Sequence, residues 1–246
     1  MAKTSPEELL HRAMQAKDAS ARARLARQGL ATRAPLDRTT HAMLLRQLYV
    51  ALFEQRRFRD ALVVAESAAE LGVMADVIHH DAARAASAAG DVDSAVAHLR
   101  SAARRAPASR RSFHWWTLGS TLFHAQRYGE SAAALERAVR WATTDRPLYQ
   151  AQLALVRIAA GERAPSDLQR TIDDLAAAPC GQGYGRFVLG HLAYAAREFR
   201  AARQYLDAFV RRTESSPKPT AIALEPELLM AKATLAKIAA PRTVMQ

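Results

Sequence analysis

The feature that most narrows what this chain can fold into is a recurrence. Phe58 and Val92 stand 34 residues apart, and so do Ala61 and Ala95. Val92 and Tyr128 are separated by 36 residues, while Gly119 and Gly190, like Tyr128 and Phe199, are separated by 71, two periods with three to spare. A period of this size marks stacked supersecondary units, none of which can bury its apolar side alone. Within each period the apolar residues recur at intervals of three and four, which places them on one face of a helix. No run reads as strands alternating with turns.

The clearest unit spans 112–145. Trp115, Leu118, Gly119 and Leu122 form one stripe; after a polar break at Gln126 and Arg127, Tyr128, Ser131, Leu135 and Ala138 form a second. A glycine inside a helix costs about 1 kcal/mol relative to alanine, so Gly119 reads as a point of close approach by a partner helix. The pattern resembles the tetratricopeptide repeat, a helix–turn–helix unit of about 34 residues. Leu122, Ser131 and Leu135 depart from its consensus. The resemblance implies an all-α fold, a right-handed α-solenoid of about six such repeats closed by a C-terminal capping helix.

Carried along the chain, the register places repeats at about 42–75, 76–109, 112–145, 146–180 and 182–215. A degenerate unit precedes them over 5–38. A capping helix over 220–239 and a tail over 240–246 follow, so one domain accounts for 1–246. The start is well signalled: Ser5 is a cap residue, Pro6 suits the first helical position, and Glu7 and Glu8 sit in the first turn. Two extra residues fall in the 104–111 loop, and 215–219 reads as a linker.

The charge is strongly basic, with 35 Lys and Arg against 24 Asp and Glu. Only Lys3, Lys17, Lys218, Lys232 and Lys237 are lysines; the other cations are arginine. Two explanations stand side by side: an acidic partner, or the arginine- and alanine-rich composition of a GC-rich genome. The single cysteine, Cys180, excludes an internal disulfide and fits a reducing compartment. The first ten residues contain no apolar stretch of the kind a secretory signal carries, and no run is long enough to span a bilayer. The expected location is cytoplasmic.

No arrangement with catalytic or metal-ligand spacing emerges. Gly181-Gln182-Gly183-Tyr184-Gly185 is rich in glycine, but no strand precedes it and no Gly-Lys-Ser/Thr follows, so it reads as a turn between repeats. Asp173 and Asp174 are neighbours on a helix and diverge by about 100°. Cys180 has no histidine placed beside it. His79 and His80 splay apart, and His114 and His124 lack an acid or cysteine at ligand spacing. The chain is therefore expected to be no enzyme, with no metal and no cofactor.

The family resemblance adds a candidate surface. In tetratricopeptide proteins the first helices line a concave groove, so residues beside each packing stripe are implied to face it. These are Arg46, Val50 and Phe53; His80, Arg84 and Ser87; Trp116, Ser120 and Phe123; Ala151, Leu155 and Ile158; Phe187, His191 and Tyr194. Arg46, Phe53, His80, Arg84, Trp116, Phe123, Phe187, His191 and Tyr194 are the partner-binding candidates. Trp116 leads them because the packing motif already uses Trp115; its alternative is burial against a neighbouring repeat. Arginine and tryptophan combine large area with directed donors, which suits interface anchors. The lysine and asparagine set with which some family members clamp a terminal carboxylate is missing.

A second candidate is a basic patch of Arg100, Arg104, Arg105, Arg110 and Arg111, with Arg56, Arg57 and Arg59 one repeat earlier. The expected function is a non-enzymatic adaptor binding an acidic or acidic-apolar protein segment in the groove. The alternative is nucleic-acid or polyanion binding through the arginine-rich face. Self-association through Leu224, Leu228, Leu229 and Leu235 is a further option.

Overall fold

The computed structural model describes residues 4–32 and 35–240. Residues 241–246 of the expected tail, and Arg33 and Ala34 of the degenerate first unit, lie outside the described residues. All regular structure among the described residues is helical. Contacts cluster in two compact units, Met1–His114 and Trp115–Gln246.

The first unit holds α1 (Pro6–Gln15), α2 (Ala19–Leu30), α3 (Arg38–Glu54), α4 (Phe58–Glu70), α5 (Ala75–Ala88) and α6 (Val92–Arg105). The division falls within α7 (Ala108–His124). The second unit continues with α8 (Tyr128–Trp141), α9 (Arg146–Ala159), α10 (Leu168–Ala177), α11 (Gly185–Ala195), α12 (Phe199–Glu214), α13 (Lys218–Ala223) and α14 (Glu225–Ala239). Ser5 accepts a hydrogen bond from the Glu8 amide at 3.2 Å, with Pro6 opening α1. Asp18, Asp37 and Asp91 cap α2, α3 and α6 in the same way. Each satisfies amides that have no partner inside the helix.

Two glycines show why the hairpins close so tightly. A Cβ built on Gly119 would lie 2.6 Å from Leu135 Cγ, and one on Gly190 would lie 2.5 Å from Leu206 Cγ. Leu135 and Leu206 are fully buried. The leucine of the second helix thus sits in a notch that only glycine leaves open. Ser131 Oγ, also buried, donates to the Gly119 carbonyl at 2.7 Å and fixes the same seam.

Five hairpins share one turn. The Arg57 amide donates to the Leu52 carbonyl and the Arg56 amide to that of Phe53, at 2.9 and 3.0 Å. The same pair of bonds recurs with Asp91 and Gly90, Arg127 and Gln126, Glu162 and Gly161, and Glu198 and Arg197 as donors. This Schellman closure needs one residue in the left-handed region. That residue is Arg56 (φ 59°), Gly90 (83°), Gln126 (59°), Gly161 (87°) or Arg197 (64°).

Where one closing helix is expected over 220–239, the chain forms α13 and α14 instead, broken at Leu224 (φ −102°, ψ 15°). Pro226 is the reason. It cannot donate inside a continuous helix, but it is accommodated in a first turn, where Glu225 and Glu227 flank it.

Two substitutions test these constraints. All three tryptophans lie in Trp115–Gln246, so tryptophan fluorescence during urea unfolding reports that unit. Gly190→Ala is expected to lower its stability by about 1–3 kcal/mol, despite alanine's better helix propensity. Gly129→Ala, where a Cβ meets nothing within 4 Å, should cause no loss. Arg197→Gly should raise stability by about 1 kcal/mol by removing left-handed strain at a non-glycine residue.

Candidate functional site

In the first unit, α3 and α5 place the predicted basic residues side by side. Arg46 Nε donates to Asp81 Oδ2 at 2.7 Å, and the Arg84 guanidinium lies 5.0 Å above the Phe53 ring. The Arg46 side chain is 33% exposed and that of Asp81 only 6%. The carboxylate is therefore a buried anchor, and the guanidinium it holds still reaches solvent. Burial pushes the Asp81 carboxyl upward, against the pull of Arg46. Among the described residues the buried Tyr49 hydroxyl has no hydrogen-bond partner, and burial followed by the Asp81 charge pushes its pKa up.

His80 packs at ring distances of 5.3 Å from Phe113 and 5.6 Å from His114. Burial, then the charges of Arg84 and His114, brings its pKa down to about 3. Phe113 is 40% exposed and Ser87 is exposed. Behind them Asp76, almost fully buried, receives Arg110 Nε and Nη2 at 2.8 and 3.1 Å and lies 3.3 Å from His114 Nε2. Burial acts to raise the Asp76 carboxyl, but the bonds from Arg110 and His114 outweigh it and hold it below the usual range. Phe53 is core, at 1% exposure.

In the second unit the implied groove residues pack on one another. Phe123, Ala151, Leu155, Phe187 and His191 are all buried. The Trp116 indole donates to Gln152 Oε1, stacks on Tyr149 at 5.9 Å and meets Tyr184 edge-on at 4.9 Å. Gln152 Nε2 donates in turn to Ser120 Oγ at 2.8 Å, and the Tyr184 hydroxyl donates to Glu227 Oε1 at 3.3 Å. Glu227 Oε1 also lies 3.2 Å from His124 Nε2, without hydrogen-bond alignment. Tyr194 is half-buried beside Phe199. The preferred contact, Trp116, thus has its donor engaged within the chain, and the first-helix face of this unit is covered by its own side chains.

The basic patch is not one surface. Arg104 and Arg105 are exposed at the end of α6, but Arg110 is committed to Asp76, and Arg111 Nη2 donates to the Ala106 carbonyl. Arg56, Arg57 and Arg59 stand around the start of α4. Packed helices alternate in direction through α4, α5 and α6, so the two clusters lie at opposite ends, about 20 Å apart. Charge is spread evenly between the units, with 18 cations against 12 acids in Met1–His114 and 17 against 12 in Trp115–Gln246. No group of three metal-capable side chains occurs among the described residues. Gly181 and Gly185 are hemmed in by the carbonyls of Leu175 and Cys180, which makes the glycine-rich loop a packed turn.

Sequence reasoning did not single out Asp81, Gln152, Tyr184 or Glu227. A signal existed for two of them. Asp81 follows Arg46 by 35 residues and Gln152 follows Trp116 by 36, about one repeat in each case. Tyr184 and Glu227 had no such signal, since they arrive from a turn and from the closing helix.

No family model matches the sequence, and no curated protein is similar to it. Among solved structures, a chain of the APC/C hetero-tetramer Cut9–Hcn1 is similar at a TM-score of 0.57 and 16% identity, over 96% of this chain and 49% of that one. The fold is the tetratricopeptide-repeat fold. The chain spans about half the length of that neighbour. A TPR repeats protein from Bacteroides fragilis is matched at 17% identity over 94% of this chain and all of that one, at a TM-score of 0.39. No helix among the described residues is long and apolar enough to cross a membrane.

The histidine buried in the second unit gives a pH prediction. Burial, then the His124 and Lys237 charges, brings the His191 pKa down to about 4 from 6.5. Between those values the unfolded chain binds the proton and the folded chain does not. This contribution is complete above about pH 7 and is lost as the pH falls towards 4. From pH 7.5 to pH 5 the loss should be about 2 kcal/mol, read by urea unfolding with tryptophan fluorescence. His191→Leu should remove that share of the slope.

Proposed function

We propose that the chain is a non-enzymatic adaptor whose first-helix face in Met1–His114 receives an acidic-apolar segment of a partner protein. Arg46 and Arg84 supply charge, while Phe113 and His80 supply an aromatic neighbour. One observation carries the reading: Asp81 and Phe53 hold two guanidiniums in place from beneath, yet Arg46 keeps a third of its side chain in solvent. Such preorganisation reduces the side-chain entropy lost on binding, and the arginines steer an anionic segment to the face. Trp116, Phe123, Phe187 and His191 serve the fold of their own unit in this reading. The tetratricopeptide fold supports a scaffold role, and the similar chain with Hcn1 is part of a hetero-tetramer. The single cysteine supports a cytoplasmic setting.

Fluorescence anisotropy with a labelled peptide alternating glutamate and leucine tests the proposal. Arg46→Gln/Arg84→Gln should weaken binding at least tenfold, and Arg104→Gln/Arg105→Gln should change it less than twofold. The reverse ranking, with a labelled single-stranded oligonucleotide bound more tightly than the peptide and steeply weakened by salt, would replace the adaptor reading with polyanion binding.

A further inference from the structure

The closing helix of the second unit is held in an unusual way. A helix that completes a core ordinarily brings large apolar residues, as α12 does with Leu206 and Phe209. The buried residues of α14 are Glu227, Ala231 and Thr234; Leu229 is 64% exposed. Met230 and Leu235 are only partly buried against the core. Beside the buried Ile222 of α13 and Ala231, the polar attachment is one carboxylate, which enters the face lined by α7 and α11 and meets the Tyr184 hydroxyl and His124. A peripheral ion pair, Lys232 with Glu214 at 2.7 Å, adds little because both side chains are half exposed.

The surroundings of that carboxylate are incompletely satisfied. Among the described residues, Glu227 Oε2 and His191 Nε2 are buried without a hydrogen-bond partner. Unpaired buried groups of this kind oppose closure. The α13–α14 segment is joined to α12 through Ser215, Ser216 and Pro217, a short stretch where exchange of an element between copies or partners is feasible.

We infer that α13–α14 is a displaceable internal ligand. The face formed by Ser120, His124, Tyr184 and His191 is then a receptor for a helix that carries a carboxylate in its first turn, followed by small residues. A partner of that chemistry enters when the strap leaves, and Glu227 marks where its carboxylate goes. This site is separate from the arginine face proposed above and does not depend on it.

The test uses the full chain and a labelled peptide of its own residues 217–240. Hydrogen exchange should show α13 and α14 opening together while α11 and α12 stay protected. The peptide should bind the full chain in competition with the resident strap. A peptide carrying Glu227→Gln should bind at least tenfold more weakly, and a His124→Ala/Tyr184→Phe chain should bind the two peptides within twofold of each other. Hydrogen exchange of α11 and α12 in that variant checks that its fold is kept. Protection of α14 equal to that of α11 and α12 would overturn the inference, as would peptide binding that ignores Glu227.

Discussion

The structure depends on how closely the two helices of each hairpin can approach. At Gly119 and Gly190 the approach is so near that a single methyl group would collide with the leucine opposite. The same register positions elsewhere solve the volume problem in other ways. Tyr49 takes the place of the glycine in the α3–α4 hairpin, and there Ala65 takes the place of the leucine; α5 and α6 combine Ala83 with Leu99. All of these side chains are buried. The sum of two volumes is kept within limits while each is free to vary, as expected of a close-packed interior. Once the seam is fixed, the faces that carry charge and aromatics are fixed with it.

Polar contacts then connect successive repeats. Arg22 with Glu54, Arg46 with Asp81, and Arg110 with Asp76 are each separated by 32 to 35 residues, close to one period. A chain built by stacking similar units brings equivalent positions of neighbours side by side, so side chains about one period apart are those that meet. The basic composition therefore does not translate directly into a basic surface. Several arginines are neutralised by an acid of the adjoining repeat.

Much of this was legible in the sequence. The 34-residue spacing points to the hairpins, and the mid-helix Gly119 points to a near helix, which is α8 with its Leu135. Other features were not legible. Arg56, Gln126 and Arg197 give no hint of left-handed backbone, because a turn closed by main-chain bonds can force any residue into that region at a modest cost. Pro226 was overlooked as a helix start. The largest gap concerned Trp116 and its neighbours. The resemblance to tetratricopeptide repeats implied the face they occupy, but not that Tyr184 and Glu227, from distant stretches, come to cover it. Such coverage depends on the stagger of stacked helices, which periodicity does not encode.

The shared turn has an evolutionary consequence. The left-handed residue lies seven positions after the seam residue in four hairpins: Tyr49 and Arg56, Ala83 and Gly90, Gly119 and Gln126, Gly190 and Arg197. Deleting one residue between them would rotate the notch by about 100° relative to the second helix and unseat its leucine. Insertions and deletions can therefore survive only after the turn or between hairpins. The chain's own length changes spare that seven-residue segment: the two extra residues before Tyr128 fall between Leu99 and Gly119, where α6 and α7 are longer than α4 and α5 while the link between the hairpins is shorter, and the longer segment of the fifth hairpin follows Gly161.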